Sequence, residues 1–118
     1  MAKTTADLIE LYLGRMNSPT ASAIIKGICG EEMEFYLLIE GEKIVEVKFF
    51  SDGCSGTRAC AAMAASLAEG RSVKDALKIS AGQVIEALRG EIEPEHLHCA
   101  ILAVSTLYKA LADYFLQL

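Results

Sequence analysis

Met33-Glu34-Phe35-Tyr36-Leu37-Leu38-Ile39-Glu40, then Gly41-Glu42, then Lys43-Ile44-Val45-Glu46-Val47-Lys48-Phe49-Phe50, is the stretch that decides the fold. Two apolar runs flank a short polar pair, the arrangement of a β-hairpin closed by a tight turn. Upstream, Ala23 to Ile28 is short and rich in β-branched residues, so it adds a third strand. Three strands in an antiparallel meander follow.

Past Gly56 the period changes from two to 3.6. Ala59, Cys60, Met63, Ala64, Leu67 and Ala68 form one helical stripe, which Gly70 ends. Ser72 caps a short helix through Lys78, with Asp75 at its third position. Ser80 opens another through Arg89 and Gly90, and Pro94 precedes a long final helix from about Leu97 to Leu116. At the other end, Leu8, Ile9, Leu11, Tyr12 and Met16 predict a helix over residues 4–16, capped by Thr5 and stopped by Asn17-Ser18-Pro19. The class is α+β: a small three-stranded antiparallel sheet with helices packed on one face, an N-terminal helix and a long C-terminal helix. One domain is expected over residues 1–118, with its core in 23–116.

Composition narrows the function. Hydrophobic residues are 53% and charged residues 23% of 118 residues, which excludes a disordered chain. A net charge of -5 disfavours phosphate backbones, so nucleic acid is not an expected partner. No apolar leader opens the chain and no segment reads as approaching membrane-spanning length, so a cytoplasmic location without a membrane partner is expected. In a reducing compartment, four cysteines favour metal or redox roles over disulfides. The chain has no CxxC pair, which removes thioredoxin-like exchange and the common zinc-finger spacings.

Three cysteine sites far apart in the chain read as metal ligands gathered by folding: Cys29-Gly30-Glu31, Gly53-Cys54-Ser55-Gly56 and His98-Cys99. Thiolates are soft ligands that select iron-sulfur clusters or zinc, and an imidazole or carboxylate completes a four-ligand shell. Cys29, Cys54, Cys99, His98 and Glu31 supply that set with one ligand to spare. A mixed, partly exposed shell can accept and release its cargo. Cys99 in the first turn of the last helix faces the positive end of the helix dipole, and Cys54 lies beside turn amides; both positions favour thiolate.

The order of these motifs resembles the U-type iron-sulfur cluster assembly scaffolds, the IscU and NifU N-terminal domain family. The matching segments are Cys29-Gly30-Glu31, Phe50-Ser51-Asp52-Gly53-Cys54, Gly70-Arg71-Ser72-Val73-Lys74-Asp75-Ala76 and His98-Cys99-Ala100-Ile101-Leu102-Ala103, within residues 23–116. The resemblance implies a carrier rather than an enzyme. It would hold a transient iron-sulfur cluster of the [2Fe-2S] type, with zinc as the resting alternative. Implied partners are a cysteine desulfurase and apo iron-sulfur acceptor proteins, with an iron donor and a ferredoxin as further ones. Sulfur would arrive as persulfide, with Cys99 the first choice of acceptor and Cys54 the second.

Departures from the family pattern are specific. Glu31 stands for the usual Asp and His96 for the usual Lys. Ile92-Glu93-Pro94-Glu95-His96 replaces the segment that some scaffolds offer a specialised chaperone, so that partner is not expected. Cys60 reads as a core residue and is left out of the ligand set. His96 reads as a solvated residue before a helix, with ligation the other reading. Arg58 reads as a surface helix residue, with thiolate stabilisation the other reading. The acidic run Glu31-Glu32-Met33-Glu34 reads as an exposed strand edge. Two further functions fit the same residues: a zinc-dependent persulfide-transfer protein of this fold, and a structural zinc interaction module.

Overall fold

The computed structural model describes residues 4–27, 30–88 and 96–118 of the chain. Their order is α1 (Thr5–Tyr12), β1 (Ala21–Lys26), β2 (Glu32–Glu40), β3 (Lys43–Ser51), α2 (Ser55–Ala68), α3 (Val73–Ala76), α4 (Ala81–Ala87) and α5 (Leu97–Leu116). The sheet is an antiparallel meander in the order β1-β2-β3, as the hairpin reading predicts. At its turn Gly41 and Glu42 both adopt positive φ, 58° and 65°, the backbone that matches the right-handed twist of two flanking strands.

Alternation along the strands sends one face inward. Met33, Phe35, Leu37 and Ile39 of β2 are buried, and Ala21 and Ala23 of β1 join them. In β3 the alternation slips: Leu38 pairs with Glu46 but Ile39 pairs with Ile44, so Val45 is an extra residue bulged out of the ladder. The bulge lets Ile44 and Val47, three positions apart, both face the core. Because β2 is the central strand and Met33 is wholly buried, the acidic run is no sheet edge. Glu34 instead lies on the outer face, paired with Arg15 at 3.0 Å.

Two helix ends differ from the sequence reading for local reasons. Thr4, not Thr5, caps α1: its Oγ1 accepts from the Asp7 amide at 3.1 Å while its own amide donates to Asp7 Oδ2 at 3.2 Å, a reciprocal capping box. The helix stops at Tyr12 rather than Met16 because Leu13 turns extended and bridges to Phe49, and the Gly14 amide donates to the Phe49 carbonyl at 2.8 Å. Residues 13–14 thus cover part of the free edge of β3, and residues 70–72 cover its other end through Ile44 and Lys43.

Helix α2 is more deeply buried than a single stripe predicts. Thr57, Ala59, Cys60, Ala61, Ala62, Ala64, Ala65 and Ala68 are all buried, whereas Met63 and Leu67 of the expected stripe are only partly so. The helix is packed against α1, α5, α4 and β3. Alanine on nearly every side permits such close neighbours, since packing density leaves no room for longer chains. Tyr12 closes the α1–α2 contact by donating its hydroxyl to Glu69 Oε1 at 3.0 Å.

One expectation needs correction. Helix α5 has twenty residues with a mean hydropathy of 1.4 over its most apolar window, long and apolar enough by length and composition to cross a membrane. Its apolarity serves the core: Cys99, Ala100, Leu102, Ala103, Val104, Leu107, Ala110 and Leu111 are buried, and the helix lies across β1, β2, α2 and α4. Ser72 and Ser80 cap α3 and α4 as expected, each hydroxyl accepting an amide three residues on at 3.1 Å. Helix α4 ends at Ala87; Arg89 and Gly90, to which the sequence reading extends it, lie with the segment through Glu95 outside the described residues, as does Cys29.

Candidate metal centre

The start of α2, the start of α5 and the approach to β2 meet at one end of the sheet. They enclose a cleft of about 290 Å³ lined by Glu31, Gly53, Cys54, Thr57, His96, His98 and Cys99. Four of the five expected ligands are therefore brought together. The fifth, Cys29, falls outside the described residues, two positions before Glu31.

Cys54 is the N-cap of α2, with extended backbone, and its thiol is exposed. Its sulfur lies 3.6 Å from the Thr57 hydroxyl. That hydroxyl first, and then the amides of Thr57, Gly56 and Cys54 itself, hold the Cys54 thiol below the ordinary cysteine range. These are the free amides of a helix start, where negative charge is favoured.

Cys99, in the first turn of α5, is only 1% exposed. The Thr57 hydroxyl approaches its sulfur to 3.2 Å, and His98 Nε2 lies 3.7 Å away. Donor atoms of Glu31, His98 and Cys99 all come within 4.8 Å of one another, a thiol, an imidazole and a carboxylate converging on one point. Glu31 supplies the clearest sign of fit to a cation: its Oε2 is buried with no hydrogen-bond partner among the described residues. A buried acceptor without a partner is costly, and a bound metal would satisfy it. Gly27 makes the seat, because a Cβ there would stand 2.8 Å from Glu31 Oε1.

Two residues were underestimated from sequence. Thr57, 2% exposed, touches both thiols, and its signal was a polar side chain three positions after Cys54 within an apolar stripe. His96, for which the sequence leaves solvation and ligation both open, lines the cleft half-buried with Nδ1 3.7 Å from Cys54 Sγ. Cys60, by contrast, lies wholly in the core with its thiol pushed up to about 12, first by burial and then by Cys99 and Cys54. Arg58 does not line the cleft. Beside the cleft, sharing Glu31 and His98, lies a more apolar hollow of about 310 Å³ between the end of β1 and α5.

Fold and site together define an α+β domain with an open cleft of thiol, imidazole and carboxylate donors. The chain belongs to the NifU-like N-terminal domain family, whose model matches residues 12–117. It is 36% identical over 88 residues to the iron-sulfur cluster assembly scaffold protein IscU 1 of Archaeoglobus fulgidus, covering 75% of this chain and 57% of that one. To the iron-sulfur cluster assembly enzyme IscU of Drosophila melanogaster it is 34% identical over 87 residues, covering 73% and 55%. The chain thus spans little more than half the length of these relatives. Among solved structures, the N-terminal part of a nitrogen-fixing NifU-like protein from Brucella abortus superposes with TM-score 0.69 at 12% identity, covering 98% of this chain and all of that one. FiSufU of Fervidobacterium islandicum AW-1 gives 0.68 at 23% identity, covering 89% and 94%. At those identities the likeness is one of fold.

Proposed function

We propose that this protein is a scaffold on which an iron-sulfur cluster is built from iron and donated sulfur and then passed to acceptor proteins. The observation that carries the reading is the convergence of Cys54, Cys99, His98 and the orphaned Glu31 carboxylate in one open cleft. Cys29, two residues from Glu31, completes the proposed ligand set. The cluster is cargo: two or three thiolates with oxygen and nitrogen donors bind iron without the permanence of a four-cysteine shell.

Sulfur entry follows thiol chemistry. A thiolate of the cleft attacks the terminal sulfur of a persulfide on a cysteine desulfurase. The sulfur-sulfur bond breaks, the donor leaves as its thiolate, and the cleft cysteine becomes the persulfide. Two electrons from a ferredoxin-class donor and one proton from solvent then cleave the new persulfide anion to thiolate and hydrosulfide, which iron takes up. Among the described cysteines Cys54 is the exposed one and Cys99 is buried, so Cys54 is the thiol of the two that a donor meets first. The partners of this proposal are the desulfurase and apo iron-sulfur proteins, in the cytoplasm.

The test is anaerobic incubation of apoprotein with iron, cysteine and a cysteine desulfurase, read by absorption and Mössbauer spectra and by transfer to an apo-ferredoxin. A [2Fe-2S] spectrum and transfer are expected, both lost in Cys29→Ala, Cys54→Ala and Cys99→Ala but kept in Cys60→Ala. The close trio of Glu31, His98 and Cys99 also suits tetrahedral zinc. Tight zinc binding with desulfurase stimulation but no cluster would replace the scaffold reading with a zinc-dependent sulfur relay.

A further inference from the structure

We propose that His96 is a metal donor paired with Cys54, so that the cleft contains two cysteine-histidine pairs. The inference rests on reading the cleft as a metal site and adds a donor to it.

The two pairs share one dimension. Cys54 Sγ lies 3.7 Å from His96 Nδ1, and Cys99 Sγ lies 3.7 Å from His98 Nε2. A tetrahedral metal with sulfur at about 2.3 Å and imidazole nitrogen at about 2.05 Å separates those two donors by about 3.6 Å. Each pair is therefore spaced to share one ion. His96 belongs to the cleft lining, and its ring is placed by packing. A Cβ at Gly56 would stand 2.6 Å from the ring's Cγ and 2.8 Å from Nδ1, so the imidazole occupies the space that glycine leaves open. Thr57, with its hydroxyl against both sulfurs, stands between the pairs. Two pairs on either side of one hydroxyl suit a cargo with two metal atoms better than a single mononuclear site.

The competing account of the 3.7 Å approach is a weak hydrogen bond between thiol and imidazole with no role in ligation. Cadmium-113 alone, added to the reduced apoprotein, separates the two in a proton-detected cadmium correlation spectrum. Ring protons of His96 and β-protons of Cys54 are expected to correlate with one cadmium frequency. Cadmium coupled to Cys99 and His98 with no coupling to His96 overturns this inference and leaves the metal-site reading standing. Failure of cadmium to bind at all overturns both. His96→Ala, checked for fold by circular dichroism, is expected to lower zinc affinity by at least about tenfold, the loss that even supporting groups around a metal can produce. Unchanged affinity also overturns the proposal.

Discussion

The Thr57 hydroxyl lies 3.2 Å from the Cys99 sulfur, and the same oxygen reaches Cys54 Sγ at 3.6 Å. One side chain of α2 thereby links two thiols from separate helices. Thr57→Val keeps the shape and removes the hydroxyl that does most to hold the Cys54 thiol low. Alkylation of Cys54 by iodoacetamide at pH 7.5 is expected to slow severalfold, since a raised thiol pKa leaves less thiolate at that pH. Thr57→Ser is expected to restore the rate; equal rates in all three proteins would remove Thr57 from this role.

Exposure and thiol acidity order the described cysteines. Cys54 is expected to alkylate first, Cys99 much more slowly, and Cys60 only on unfolding, because its thiol is wholly buried and pushed up to about 12. Mass spectrometry after timed labelling at pH 8 checks the order. Cys60→Ala is expected to cost about 1 kcal/mol in urea unfolding, the scale of one small buried group.

Glu31 sets function against stability. Its buried Oε2 has no partner among the described residues, so Glu31→Gln is expected to leave the stability of the metal-free protein unchanged or raised while weakening zinc binding by at least about tenfold. A loss of thermal stability with unaltered zinc affinity would assign Glu31 a structural role instead.

On the outer face, the Arg15 guanidinium holds Glu34 below the usual carboxylate range, with the Tyr36 hydroxyl helping. A depressed carboxylate contributes stability above its unfolded pKa of about 4.3 and loses that contribution as pH falls through the lower folded value. Wild type is therefore expected to lose its thermal advantage over Glu34→Gln on acidification from pH 5 to below 4. With Arg15 58% exposed the effect is small and shrinks in salt, which differential scanning calorimetry at two ionic strengths tests.

The alanine contacts of α2 leave no slack. Ala64→Leu, at a wholly buried position, is expected to destabilise the fold by about 1–3 kcal/mol in urea titration. A stability equal to wild type would show that α2 has room its neighbours do not display.

Hairpin, helix order and sheet topology were legible because alternation, turn residues and serine caps are local signals. The end of α1 was not, since Leu13 leaves the helix to pair with Phe49, thirty-six residues on. Nor was the burial of α2: alanine has little hydrophobic contrast, so a helix enclosed on several sides resembles a surface helix with one stripe. The cysteines of the cleft stood out by rarity and by the residues beside them. Thr57 did not, and His96 did so only as a departure from the family pattern, because a threonine in a helix and a histidine before one acquire their place only through distant sulfurs.

That enclosure of α2 bears on what departure of the cargo leaves behind. Cys54 and Thr57 stand on a helix fixed by Ala61, Ala62, Ala64 and Ala65 and tied to α1 through Tyr12 and Glu69, none of which touches the cleft. In small metal domains the ion is the keystone, and its loss is collapse. Here that packing holds the helix start from outside the cleft, so the cleft is expected to keep its shape when the proposed cargo leaves, and delivery and refilling would need no refolding.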